Sequence, residues 1–174
     1  MVRDAPEVDK GSADGTSGGQ PAGRVDIDQL DLRILRRLLD DGRLSYRHLA
    51  SELHISTTTV AARVARLEKV GIITGHSALV DFRKLGYDLT VITEVSVSKG
   101  KLLEMEREIA NLPNVCAVYD VTGAIDGIVI AKLRDREELS RFTKALLAMH
   151  FVERTDTHVV LTTVKEDFRL PMQP

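Results

Sequence analysis

The chain reads as α+β: a small helical domain followed by a βαββαβ sheet domain. Two changes of pattern predict this. Apolar residues recur at helical spacing between residues 28 and 70, and from residue 89 they alternate with period two before helical spacing returns. With 174 residues and 43% hydrophobic content, two small cores fit better than one.

Residues 1–24 hold five glycines and two prolines among Ser and Asp, with no Ile, Leu, Phe or Tyr. Nothing there offsets the entropy of ordering, so a disordered tail is expected. The helical pattern opens with Leu30, Ile34, Leu35, Leu38 and Leu39. Asp28 is the expected N-cap, Asp31 favours the positive end of the helix dipole, and Gly42 is expected to end the helix in the left-handed conformation. Ser45 then caps a second helix with Tyr46, Leu49, Ala50 and Leu53 on its buried face. His54-Ile55 makes a tight turn, and Ser56 or Thr57 starts a third helix. Val60, Val64 and Leu67 form its inner stripe, leaving Thr58, Thr59, Ala61, Ala62, Arg63 and Arg66 outside.

The net charge of −2 argues against a protein that coats nucleic acid indiscriminately. Locally the balance differs: Arg43, Arg47, Arg63, Arg66 and Lys69 face only Glu52 and Glu68 between residues 43 and 69. A tight turn, a small-residue outer face and local basicity together suit a helix that enters a DNA groove. Any three-helix domain has amphipathic helices, so it is this coincidence that carries the reading.

Gly71 closes the helical domain, and residues 75–86 are expected to form a small strand or wing plus a connector holding Asp81, Phe82 and Leu85. Leu89, Val91, Thr93, Val95 and Val97 then alternate as one face of a strand. Leu102, Met105, Ile109 and Leu112 return to helical spacing until Pro113-Asn114. Residues 115–122 and 128–133 read as a hairpin around Gly123-Ala124-Ile125-Asp126-Gly127. Asp135 with Glu138 starts a helix that buries Leu139, Phe142, Leu146 and Met149, and a last strand is expected from about 155 to 164. The order βαββαβ is the split-βαβ, ferredoxin-like arrangement. Its sheet keeps one face free of helices, where Ile92, Val118 and Val160 or Val159 would form an apolar patch, so a homodimer is expected.

The single cysteine, Cys116, excludes an intramolecular disulfide, and no apolar run approaches the roughly 18 residues of a membrane span. A cytoplasmic protein without a membrane partner is expected. The five histidines lack zinc-ligand spacing, so no metal is expected. No phosphate-binding loop, nucleophile elbow or dinucleotide fingerprint occurs, hence no catalytic residue and no cofactor is assigned. Asp126 and the polar run Thr155-Asp156-Thr157-His158 remain candidates for a small-molecule site, although an aspartate in a hairpin turn commonly bonds backbone alone.

Across both domains the residues Leu30-Asp31, Ile34-Leu35, Asp41-Gly42-Arg43, Leu49-Ala50, Leu53, Ile55-Ser56, Thr58, Val60, Arg63-Val64, Leu67-Glu68, Gly71-Ile72-Ile73, Leu85-Gly86, Thr122-Gly123, Asp126, Val152 and Thr155-Asp156-Thr157 form a long spaced pattern. From about residue 25 to 168 this pattern resembles the Lrp/AsnC (feast/famine) family of transcriptional regulators. The resemblance implies a winged helix-turn-helix domain at 25–74, a linker or wing at 75–87, a ferredoxin-like ligand-binding and oligomerisation (RAM) domain at 88–168 and a short tail at 169–174. It further implies binding to double-stranded DNA, a small-molecule effector, often an amino acid, and homodimers that assemble further.

The DNA-facing set is then Arg43, Ser45, Arg47, Ser56, Thr57, Thr58, Thr59, Arg63 and Arg66. The effector set is Gly123, Asp126, Thr155, Thr157, His158, Val159 and Val160. Two departures from the family pattern fall here: Ile125 and Gly127 flank the turn aspartate, where aromatic or large apolar residues are common, and His150-Phe151 replaces a frequent Pro-Gly pair. Two other readings compete. One is an enzyme resembling the sirohaem decarboxylases, whose His- and Arg-containing strand motif is absent from Val115-Cys116-Ala117-Val118-Tyr119. The other is an assembly module that does not bind DNA, against which the local basicity stands.

Overall fold

A computed structural model of the chain describes residues 25–170; the expectations for residues 1–24 and for the end of the C-terminal tail fall outside them. Two compact units divide at Ser77/Ala78, and each is described by itself.

The first unit holds α1 (Gln29–Asp40), α2 (Tyr46–Leu53) and α3 (Thr57–Lys69). Asp28 caps α1 in a reciprocal box: its Oδ1 accepts from Asp31 N at 2.9 Å, and Asp31 Oδ2 accepts from Asp28 N at 3.1 Å. At the other end Gly42 does not take the left-handed turn expected of it. Asp41 makes the turn instead, its Oδ1 accepting from Arg43 N at 2.9 Å and its carbonyl from Leu44 N at 3.2 Å.

The core of this unit is Ile34, Leu49, Ala50, Leu53, Val60 and Val64, with Ile73 folded back against it. Tyr46, expected inside, is exposed because it stands at the first position of α2, before the helix turns its inner stripe to the core. Gly71, at φ +74°, reverses the chain after α3, and Ile72 N–H donates to Leu67 O at 2.9 Å.

The expected strand of a wing is absent among residues 74–81; the connector instead contains a short 3-10 helix at Phe82–Leu85. Asp81 caps this helix, and Gly86, at φ +86°, ends it.

The second unit runs β1 (Leu89–Val97), α4 (Leu102–Ala110), β2 (Val115–Asp120), β3 (Gly127–Leu133), α5 (Arg136–Leu147) and β4 (Val152–Val159). The sheet order is β2-β3-β1-β4, with every neighbouring pair antiparallel. Val91, Val95, Val129, Ala131 and Leu133 pack against Met105 and Ile109 of α4 and Phe142 and Leu146 of α5, so both helices cover one face. Phe151 is among the largest buried side chains of this core. A Cβ on Gly127 would lie 2.8 Å from Met105 Cε and 3.3 Å from Tyr119 O, so the bare glycine is what lets α4 settle onto the start of β3.

Three expectations about the sheet change. β4 starts earlier and stops sooner, because the Val160 N to Thr90 O bond at 2.9 Å reaches the start of β1 and leaves nothing further to pair. Val118 pairs with Val129 and packs into the helix-covered core, which leaves Ala117 and Tyr119 toward the other face. The register shift between Val115 and Ala117 decides which residues point inward, since a one-residue slip exchanges the faces. Finally, the helix-free face is not bare: Thr90, Ile92, Ile130 and Val160 form with residues 162–168 an open cavity of about 660 Å³. Lys132 Nζ ties that segment down through Glu166, at 3.0 and 3.1 Å.

Candidate nucleic-acid interface and ligand region

The turn between α2 and α3 is built locally. His54 adopts φ +56°, ψ +46°, a left-handed conformation that the polar side chain tolerates, and its N–H donates to the end of α2. Ile55 N–H donates to Ala50 O at 3.0 Å, and Ser56 then caps α3, its Oγ accepting from Thr59 N at 3.0 Å. The same Oγ lies 2.7 Å from Thr58 Oγ1 and 2.8 Å from Thr59 Oγ1, so three hydroxyls crowd the N-terminus of α3. Ser45 caps α2 in the same way, accepting from His48 N at 3.2 Å.

Ser45, Arg47, Ser56, Thr57, Thr58 and Ala62 are exposed, and Thr59 is half-buried. Arg47 has no ion-pair partner among the described residues, and the almost fully exposed Arg43 reaches only Asp41, at 3.8 Å. Exposed hydroxyls, backbone N–H groups at a helix N-terminus and solvated guanidinium groups are what phosphate binding uses.

Arg63 and Arg66, expected to face DNA, are held differently. Arg63 pairs with Asp28 and with Asp31 at 3.3 Å; Arg66 pairs with Asp31 and donates to Asp26 O at 3.1 Å. Asp31 is fully buried, and two partly exposed arginines of α3 clamp this carboxylate of α1. The sequence offers a signal for this, an aspartate among the apolar positions of α1, but not its partners more than 30 residues away. A second clamp joins α1 to α2: Arg37 Nε and Nη2 donate to Glu52 at 2.8 and 2.9 Å.

These contacts set the acidities. The Asp31 backbone N–H, and after it Arg63, hold the Asp28 carboxyl below its ordinary value; Arg37 does the same for Glu52.

In the sheet unit, Gly123 sits in the hairpin turn at φ +135°, which a side chain rarely adopts. The β1–β3 ladder ends at the Val95–Gly127 pair, leaving Val97 N–H beyond it. Asp126 fills that gap: its Oδ2 accepts from Val97 N at 2.8 Å and its N–H donates to Val95 O at 3.0 Å. One carboxylate oxygen is thus engaged with backbone.

The other expected effector residues do not share one surface. Thr155, Thr157 and Val159 pair with Val95, Thr93 and Val91 on the helix-covered face, and Thr157 Oγ1 is 3.1 Å from Oγ1 of the buried Thr93. His158 and Val160 lie on the opposite face, His158 paired with Ile92. A pocket within one chain cannot draw on the whole set, because alternation along a strand separates it.

Comparison with known proteins agrees with both units. Residues 27–74 match a family model described as winged helix-turn-helix DNA-binding, and residues 90–170 match the Lrp/AsnC ligand binding domain. An uncharacterised HTH-type transcriptional regulator of Pyrococcus furiosus is 47% identical over 146 residues, covering 84% of this chain and 99% of its own. Among solved structures, E. coli AsnC superposes with a TM-score of 0.78 at 26% identity, over 84% of this chain and 100% of its own. A Neisseria meningitidis transcriptional regulator solved as an L-Met complex gives 0.77 at 27%, over 84% and 97%. The chain belongs to the Lrp/AsnC family of helix-turn-helix transcriptional regulators.

Proposed function

We propose that the chain is a sequence-specific, cytoplasmic regulator that grips double-stranded DNA through the N-termini of α2 and α3. Ser45, Arg47, Ser56, Thr57, Thr58 and Thr59, with Arg43 at the margin, meet phosphates and base edges, while Ala62 allows close approach. The observation that carries this reading is the exposed hydroxyl-rich start of α3, together with an exposed Arg47 that has no ion-pair partner among the described residues. Arg63 and Arg66 act as positioning residues: they fix the tilt of α3 against α1 through Asp31.

Two copies joined through the helix-free sheet faces would present two α3 helices to successive major grooves, about 10 base pairs or a multiple apart. The strongly exposed Leu161, Val164 and Phe168 beside that face support association, to dimers and to larger homo-oligomers. A small molecule, an amino acid in the simplest case, binds the sheet unit near Gly123 and Asp126 and shifts the spacing of the reading helices. The L-Met complex of the Neisseria relative supports this choice of effector, as does a turn carboxylate able to meet an ammonium group.

The test is fluorescence anisotropy with a duplex selected from genomic fragments. Arg47→Ala is expected to weaken binding about tenfold and to lower the slope of log affinity against log salt by about one, as for a phosphate contact. An unchanged affinity and salt slope would remove Arg47 from the interface.

A further inference from the structure

The helix-free face of the sheet carries a second cluster, distinct from the apolar cavity. Glu94 of β1 stands directly opposite Asp156 of the edge strand β4, and His158 lies on the same face two residues along β4. One oxygen or nitrogen atom from each lies within 4.8 Å of the others. Linear spacing does not show this set, because Glu94 and Asp156 are brought together only by the β1–β4 ladder.

We propose that Glu94, Asp156 and His158 bind a divalent transition-metal cation. Carboxylates directly opposed across an antiparallel pair repel each other, and a dication between them reverses the sign of that interaction. The charges already nearby do not close the cluster. His158 Nε2 is 3.8 Å from Glu94 Oε1, and Arg154 Nη2 is 3.9 Å from Asp156 Oδ2, both longer than hydrogen bonds.

The scaffold is suited to ligation, since three donors on two paired strands need only side-chain rotation to converge on one ion. Two carboxylates and one imidazole with open coordination positions suit Zn²⁺, Mn²⁺, Fe²⁺ or Co²⁺ better than the all-oxygen cages of Ca²⁺. The remaining histidine–carboxylate pairs, His48–Glu52, His76–Glu68 and His150–Glu104, each bring a single carboxylate. Among the described residues no other group of three converges in this way.

The experiment titrates the full chain, stripped with a chelator, with Co²⁺ followed by its visible absorption and with Zn²⁺ and Mn²⁺ by calorimetry. One cobalt ion per chain is expected, with affinity reduced at least tenfold in both His158→Gln and Asp156→Asn and unchanged in His76→Gln. Asp156→Asn removes one of two opposed charges and should keep its metal-free melting temperature, so a loss of binding there is not a loss of fold. Absence of saturable binding by the parent chain, or parental affinity in either His158→Gln or Asp156→Asn, overturns the site.

Discussion

Asp31 shows how much one residue can carry. Its place in the first turn of α1 was legible as a dipole residue, and the structure adds a capping box with Asp28. What the sequence did not show is its complete burial between Arg63 and Arg66, because periodicity describes a helix's own faces and not the residues of another helix that meet them. The basic residues of α3 were read from local charge as facing DNA, yet two of them neutralise this aspartate. Replacing it should therefore act on the fold first. Asp31→Asn is expected to cost the helical unit on the order of 2 kcal/mol, the usual worth of a charge-assisted hydrogen bond, read as a lowered urea midpoint. An unchanged midpoint would mean that Arg63 and Arg66 do not brace α3.

At the scale of elements, helix starts were legible and strand ends were not. Asp28, Ser45 and Asp135 cap the helices that they were expected to start, and of Ser56 and Thr57 it is Ser56 that caps α3, since a cap is a local interaction written within four residues. Ser56→Ala should destabilise α3 by about 1 kcal/mol and expose its first turn to amide exchange; unaltered protection of Thr58 and Thr59 would contradict this. The extent of β4, the inward face of Val118 and the absence of a strand before residue 82 depend on register and pairing partners, which lie far away in sequence.

The backbone cap of α1 and the interhelical ion pairs also set a pH dependence. Asp28 and Glu52 have folded-state pKa values below the ordinary carboxylate value of about 4, so their stabilisation is complete above that pH and is lost as pH falls through the lower folded values. The helical unit should lose urea resistance as pH falls from about 4 towards about 2. A midpoint that rises or stays level over that interval would show that these carboxylates contribute nothing.

At the scale of the whole molecule, the order of the α-helices and of the four sheet strands was legible, whereas the faces on which the expected ligand residues fall were not. The seven residues expected to bind an effector were taken from a turn and from one continuous strand, and the pleat distributes that strand over both faces of the sheet. Asp126 has one oxygen on the Val97 backbone, so the effector contact proposed for it falls to the other. DNA recognition by paired units is the claim on which the rest depends, and footprinting of the full chain on genomic fragments at about 0.15 M salt tests it most directly. Discrete protected segments are expected, centred about 10 base pairs or a multiple apart on one face of the duplex, with spacing that changes in the presence of at least one amino acid. Uniform coverage that vanishes with added salt, or no protection at all, would contradict it.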